Sequence, residues 1–205
     1  DHVVCDTLES LLLNQQVRSI DFIKTDLEGL DFEVLKSSPS VLEKVQVIVS
    51  ELRFQPFYEN EPFFHEVASF LYADGFELIH LKPAYWKYRT THWDQVRSGR
   101  TVYADCIFFR RPERVQQNTA EIASAMFAKQ IILAKMVGLE NYDEFLLEQH
   151  CANLTAEVRS ELQYFLLQNP TDGFFLVRIA NLIGRSPWGG IGLSLVCKAL
   201  KWMQR

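Results

Sequence analysis

Residues 20–36 read IDFIKTDLEGLDFEVLK and contain the densest chemical signal in the chain. The short apolar run at residues 20–25 is typical of a β-strand, and it ends at Asp26. Glu28 follows two residues later, and Gly29 opens a turn into a helical pattern. Because residues i and i+2 of a strand share a face, we expect Asp26 and Glu28 to converge at the carboxyl end of this strand.

The next apolar run, residues 45–52, reads VQVIVSEL and ends next to Glu51. A continuous apolar run of this kind is typical of a strand buried on both faces of a parallel sheet. Open α/β sheets bind ligands at the carboxyl ends of such strands. The pattern therefore predicts one cleft lined by Asp26, Glu28 and Glu51, which would accept hydrogen bonds, act as a general base or hold a divalent cation.

Helical patterns alternate with the strands in the first part of the chain. Asp6, followed three residues later by Glu9, indicates a capping box and the start of a helix. A second helix is predicted over residues 61–74, and Gly75 occupies the position of its C′ glycine. Two further strands follow, FELIHLK and DCIFFRR. This alternation predicts an α/β fold with a mostly parallel sheet.

The character of the chain changes at a polar junction near residues 112–118, which contains Pro112. Residues 115–205 are helical in pattern throughout. We therefore predict an α/β unit at residues 1–114 and a helical region at residues 115–205.

Composition excludes several classes of protein. The chain has 205 residues, 48% of them hydrophobic, and a formal net charge of −5, which argues against disorder and against nucleic-acid binding. No apolar run reaches the roughly 20 residues that a membrane span requires. The four cysteines form no CxxC pair, and no signal peptide is visible, so a cytoplasmic location with reduced thiols is expected.

Several segments of the first part resemble one known family in their order and spacing. They are Asp6-Thr7-Leu8-Glu9, then Lys24-x-Asp26-x-Glu28-Gly29, then the strand ending in Glu51, then Asp105-x-Ile107-Phe108. Together they are similar to the carboxyl-terminal half of the FkbM family of S-adenosylmethionine-dependent methyltransferases. The resemblance spans residues 5–111 and implies a Rossmann-like class I sheet with an antiparallel last strand.

The resemblance also implies roles for individual residues. Asp26 and Glu51 would lie at the ends of the family's fourth and fifth strands and serve as catalytic residues, and Asp26 and Glu28 would contact the cofactor. Glu51, Trp86 and His92 would bind the acceptor, because an aromatic-rich loop is expected between the last two strands. The reaction would transfer a methyl group to a hydroxyl of a sugar, polyketide or other small molecule, with no metal in the site.

The family's glycine-rich cofactor loop belongs upstream of Asp1, and the glycine cluster at residues 188–192 does not replace it because no apolar strand precedes it. We therefore expect that residues precede Asp1, or that the protein is a truncated homologue that acts as a non-catalytic binding or assembly module. Residues 1–205 alone should bind S-adenosylmethionine weakly or not at all. The strand at residues 20–25 should be covered by preceding residues, by the helical tail, or by a second copy in a homo-oligomer.

Overall fold

The computed structural model describes residues 6–89 and 99–167. This part of the chain forms a mixed α/β fold. The helices are α1 (Leu8–Asn14), α2 (Asp31–Lys36), α3 (Pro39–Leu42), α4 (Phe64–Ala73), α5 (Pro112–Gln116), α6 (Ala120–Met136), α7 (Glu140–His150) and α8 (Ala156–Leu167). The strands are β1 (Phe22–Thr25), β2 (Val47–Arg53), β3 (Phe76–Trp86) and β4 (Arg100–Arg110).

The four strands form one sheet in the order β1-β2-β4-β3. β1 and β2 are parallel, whereas β4 is antiparallel to both β2 and β3. The prediction of a mostly parallel sheet is therefore wrong for the described strands, because two of the three pairings are antiparallel. The last strand enters between β2 and β3 and so forms two antiparallel ladders, although β1, β2 and β3 run in one direction.

Each face of the sheet carries an apolar core, which follows the alternation of side chains along the strands. On β2, Ile48 and Leu52 point into one core together with residues of α2, α3 and α4. Val47 and Val49 point into the opposite core, which is completed by residues of α6, α7 and α8. The prediction that this strand is buried on both faces is confirmed, since six of its seven residues are buried.

Helix α6 lies on the second face and is buried at ten of its 17 residues. Polar side chains of α6 attach it to the sheet. The Lys129 ammonium lies 2.8 Å from an Asp21 carboxylate oxygen, just before β1. The Gln130 amide donates to the Arg110 carbonyl at 2.9 Å, at the end of β4. The division of the chain into an α/β unit and a helical region stays a prediction.

Two local predictions need correction, and one is confirmed. Helix α1 is capped by Thr7 rather than Asp6: the Thr7 hydroxyl accepts from the Ser10 N–H at 3.2 Å. The Glu9 carboxylate does not close a capping box, because it accepts from the Ser40 N–H at 2.9 Å instead. Gly75 follows the cap of α4 with φ of +97°, the left-handed conformation expected of a C′ glycine.

Strand β3 is longer than its apolar pattern indicated. Tyr85 and Trp86, which we expected in a loop, pair with Thr101 and Arg100 of β4. The expected loop therefore begins later, because β4 supplies backbone partners for residues that have no apolar periodicity of their own. The helices predicted after residue 167, the glycine cluster and His92 lie outside the described residues. Within residues 6–89 and 99–167, no helix has the length and apolar character needed to cross a membrane.

Candidate functional site at the carboxyl end of β1 and β2

The first carboxylate of the site directly follows β1. Thr25, the last residue of β1, pairs with Ser50 of β2, and their side-chain hydroxyls are hydrogen-bonded at 2.8 Å. Asp26 comes next in the chain and is exposed. The turn that follows has left-handed backbone at Glu28, with φ of +51°, and at Gly29, with φ of +100°. This tight turn returns the chain towards α2 and leaves both acidic side chains at the sheet edge.

We expected Glu51 at the end of β2, but it lies inside the strand, which continues for two more residues. The strand continues to Arg53 because β4 provides antiparallel partners there, with Glu51 opposite Asp105. Directly opposed residues of an antiparallel pair project from the same face. Thr25 is in register with Ser50, so Asp26 follows at the position beside Glu51. Glu51 therefore lies between Asp105 of β4 and Asp26, the residue after β1, and the charges of both act on it.

Arg53 forms the centre of this edge, and the sequence analysis did not identify it. Its guanidinium contacts three carboxylates: Glu51 at 2.8 Å, Glu28 at 2.9 Å and Glu61 at 3.2 Å. The Arg53 side chain is only 7% exposed, whereas Glu28 is 68% exposed. The Tyr58 hydroxyl also donates to Glu28, at 3.1 Å. Glu28 and Glu51, far apart in sequence, are thus joined by one buried cation.

In this cluster three carboxylates contact a single guanidinium, and this imbalance affects their pKa values. Burial raises the pKa of Glu51; Arg53 opposes this shift, and the charges of Asp26, Asp105 and Glu28 add to it. Burial alone would lower the pKa of Arg53, but its three carboxylate partners outweigh burial and raise that pKa. Three carboxylates share one guanidinium, so the cluster keeps an excess of negative charge when all are ionised.

Aromatic rings extend the site from the carboxylates towards the end of β3. The Phe57 ring lies over the Arg53 guanidinium at 4.7 Å, and the Tyr103 ring lies 5.1 Å from the same group. Trp86 meets the edge of Phe57 with ring centroids 5.1 Å apart. Trp86 is 52% exposed, so an aromatic surface remains open beside the carboxylates. Aromatic rings of this kind stack on the apolar faces of ligands.

Of the predicted site residues, Glu28 and Glu51 are joined through Arg53, and Asp26 lies beside Glu51. Trp86 reaches the same cluster through Phe57. One signal could have found Arg53: it stands two residues after Glu51 in a strand, and such residues share a face. No local signal links Arg53 to Glu28, because their contact depends on the pairing of β1 with β2.

Metal binding has little support from the described side chains. Within residues 6–89 and 99–167, no group of three or more His, Cys, Asp or Glu side chains is arranged to hold a metal ion. Cation binding was one of the roles left open for the three carboxylates. In this structure the cation between Glu28 and Glu51 is the guanidinium of Arg53.

Comparison with known proteins gives one match. Residues 2–78 match the family model described as the methyltransferase FkbM domain. No curated protein and no solved structure matches the chain. The matched stretch is shorter than the resemblance read from the sequence, since it ends within β3, but it includes Asp26, Glu28 and Glu51. Residues 2–78 are therefore similar to part of an FkbM methyltransferase domain.

Proposed function

We propose that this chain carries the acceptor-side half of an S-adenosylmethionine-dependent methyltransferase that methylates a hydroxyl of a sugar, polyketide or other small molecule. One observation carries the proposal: Glu51 and Asp26 lie side by side at the carboxyl end of a parallel strand pair, inside the FkbM match. That end of an α/β sheet is where ligands bind. Glu51, which Arg53 holds, and the exposed Asp26 would together bind an acceptor hydroxyl and remove its proton.

The described residues fit one side of the cofactor. S-adenosylmethionine, when bound, supplies a methyl group on a positively charged sulfur. The excess negative charge around Arg53 suits a cationic donor, and Asp26 and Glu28 would contact it from the turn after β1. A glycine-rich loop after a strand is not found in the described residues, so these side chains would hold only part of the ligand.

Glu51 would act as the general base. Arg53 contacts its Oε1 atom at 2.8 Å, and its Oε2 atom would accept the proton of the acceptor hydroxyl. Burial raises the pKa of Glu51, which strengthens it as a base. Glu51 would take the proton of the acceptor hydroxyl as that oxygen becomes the nucleophile. Methyl transfer of this kind requires an in-line arrangement, so positioning contributes much of the rate.

The other side chains would place the acceptor. Asp26 is exposed and would accept a hydrogen bond from a second hydroxyl. Trp86 and Phe57 present aromatic faces beside the carboxylates and would stack on a sugar ring or a polyketide. His92 remains part of the proposal on the basis of the sequence alone.

The first experiment titrates the full-length gene product with S-adenosylmethionine in a calorimeter. It then measures transfer of a radiolabelled methyl group to methyl glycosides and to a hydroxylated macrocyclic polyketide. We expect Asp26→Asn and Glu51→Gln to reduce kcat by about 10²–10⁴ while changing cofactor affinity little. Glu33→Gln is the matched control, because Glu33 is an exposed acid paired with Lys36 on α2.

One outcome would contradict the proposal, and another would change the role of Asp26 alone. Cofactor binding without turnover on either class of acceptor would favour the non-catalytic binding module. Unchanged turnover in Asp26→Asn would assign Asp26 a structural role and leave Glu51 as the catalytic carboxylate.

A further inference from the structure

Arg53 is saturated by contacts within the protein. Its three nitrogen atoms face three different carboxylates, on Glu51, Glu28 and Glu61. The two aromatic rings of Phe57 and Tyr103 lie close to the guanidinium carbon. With 7% of its side chain exposed, Arg53 cannot take an anionic ligand without releasing one of these glutamates. Arg53 can therefore affect a ligand only through the residues that it holds.

Those residues come from three separate segments of the chain. Glu51 is in β2, Glu28 is in the turn after β1, and Glu61 lies between β2 and α4. Glu61 is 4% exposed, so the guanidinium and this glutamate form a buried anchor. The same anchor fixes the more exposed Glu28 and Glu51. A planar guanidinium with five donors suits such a task, whereas a lysine ammonium is a single point of charge.

We propose that Arg53 is the positioning residue of this site: it aims Glu51 at the acceptor, keeps it ionised, and fixes the Asp26–Gly29 turn against β2. This inference rests on the proposed function, because it assigns the residue that prepares the proposed base. Contact with Oε1 at 2.8 Å would orient the Glu51 carboxylate so that Oε2 faces the acceptor. Contact with Glu28 holds the left-handed turn that carries Asp26.

The charged groups facing Glu51 make this role necessary. Asp26 and Glu28 face it from the turn after β1, and Asp105 faces it from β4. All three are negative, and burial acts in the same direction by raising the pKa of Glu51. Arg53 is the cation that opposes them. Without it, Glu51 would hold its proton up to a higher pH, so a smaller fraction would be ionised and able to accept a proton from a hydroxyl.

The test combines three variants with a measurement that needs no turnover. The pKa of Glu51 is read from carbon-13 carboxyl NMR of residues 1–205, with Glu51→Gln used to assign the signal. Arg53→Met should raise this pKa by about one to three pH units. Arg53→Lys should restore most of the ionisation but not the position of the turn. Arg100→Met is the matched control, since Arg100 is an exposed arginine on β4 that contacts Gln55 and, among the described residues, no carboxylate.

In the active full-length protein, the acidic limb of the kcat profile should move upward in Arg53→Met by the same amount. If Arg53→Met does not fold, Arg53→Lys carries the test: it should keep the pH profile near that of the wild type but lower kcat. An unshifted Glu51 pKa in folded Arg53→Met, or full kcat in Arg53→Lys, would overturn the role of Arg53. A wild-type protein without turnover but with the shifted NMR pKa would instead overturn the proposed function.

Discussion

At the scale of single residues, the turn after β1 depends on a glycine. Gly29 has φ of +100°, and a Cβ atom there would lie 3.2 Å from both a Glu61 carboxylate oxygen and the Tyr58 ring. Both neighbours belong to the cluster around Arg53. A side chain at this position would meet left-handed backbone strain and would require Glu61 and Tyr58 to move by a few tenths of an ångström.

We expect Gly29→Ala to lower the free energy of unfolding by about 1–2 kcal/mol, from left-handed strain and the close contacts together. Gly138→Ala is the matched control, because Gly138 has φ of +78° but its Cβ would meet nothing within 4 Å. Urea denaturation of both variants separates the backbone cost from the contact cost. Equal losses in the two variants would mean that the loop moves away freely and that the packing over the turn is loose.

The positions of the individual carboxylates could be predicted from the sequence, but the side chains that contact them could not. Asp26 and Glu28 follow a strand pattern at a spacing that indicates a strand end, so their location at one edge could be predicted. Arg53 was not identified from the sequence. Arg53 is buried together with its contacts to Glu28 and Glu61, and local sequence patterns do not predict contacts between different segments of the chain.

At the scale of elements, the ion pair between Lys129 and Asp21 joins α6 to the start of β1. Burial raises the pKa of Asp21, and Lys129 opposes that shift. We expect Lys129→Met to lower stability by about 3–5 kcal/mol at neutral pH, because it leaves a buried carboxylate without this cation. The double variant Asp21→Asn/Lys129→Met should recover most of the loss. Denaturant titrations of both variants measure the difference.

The same variant has a defined pH dependence. In Lys129→Met the pKa of Asp21 should rise further in the folded state, so folded protein binds the proton more tightly than unfolded protein. Stability relative to the wild type should then rise as pH falls through the folded-state pKa of Asp21 towards its unfolded-state value. A stability loss that stays constant between pH 8 and pH 5 would mean that Asp21 finds another partner in the variant.

Element types were easier to predict than their pairing. The helix that ends before Gly75 follows from apolar residues repeating every 3.6 positions, and the buried strand β2 follows from a continuous apolar run. The direction of β4 does not follow from a local pattern, because an apolar run looks the same whether the strand pairs in parallel or antiparallel orientation. The length of β3 was missed for a related reason: Tyr85 and Trp86 are strand residues only because β4 pairs with them.

At the scale of the whole molecule, the two edges of the described sheet differ. β3 carries Lys82 and Pro83 and has irregular register at two points, features that discourage pairing with another strand. β1 has Lys24 but no proline, and its register with β2 is regular. A cavity of about 650 Å³, lined by α1 and residues 16–20, lies beside the start of β1. The edge of β1 is therefore the side better suited to pairing.

We expect the backbone of residues 22–25 to be covered by preceding residues, by a second copy of the chain or by the helical tail. For residues 1–205 alone, light scattering and hydrogen exchange at increasing concentration test this expectation. Slow exchange in β1 together with a rising mass would identify the second copy. A monodisperse monomer with fast exchange across β1 would contradict the expected coverage.

During synthesis, β2 leaves the ribosome well before β4, its antiparallel neighbour, which follows roughly 50 to 60 residues later. Until that strand emerges, one side of β2 has no backbone partner, and Val47 and Val49 lack the helices that bury them. A nascent chain that ends with the matched residues 2–78 holds the candidate carboxylates but not the strand that joins β2 to β3. Such a chain exposes apolar surface and a strand edge together, which is the state that chaperones bind and that aggregates when they do not.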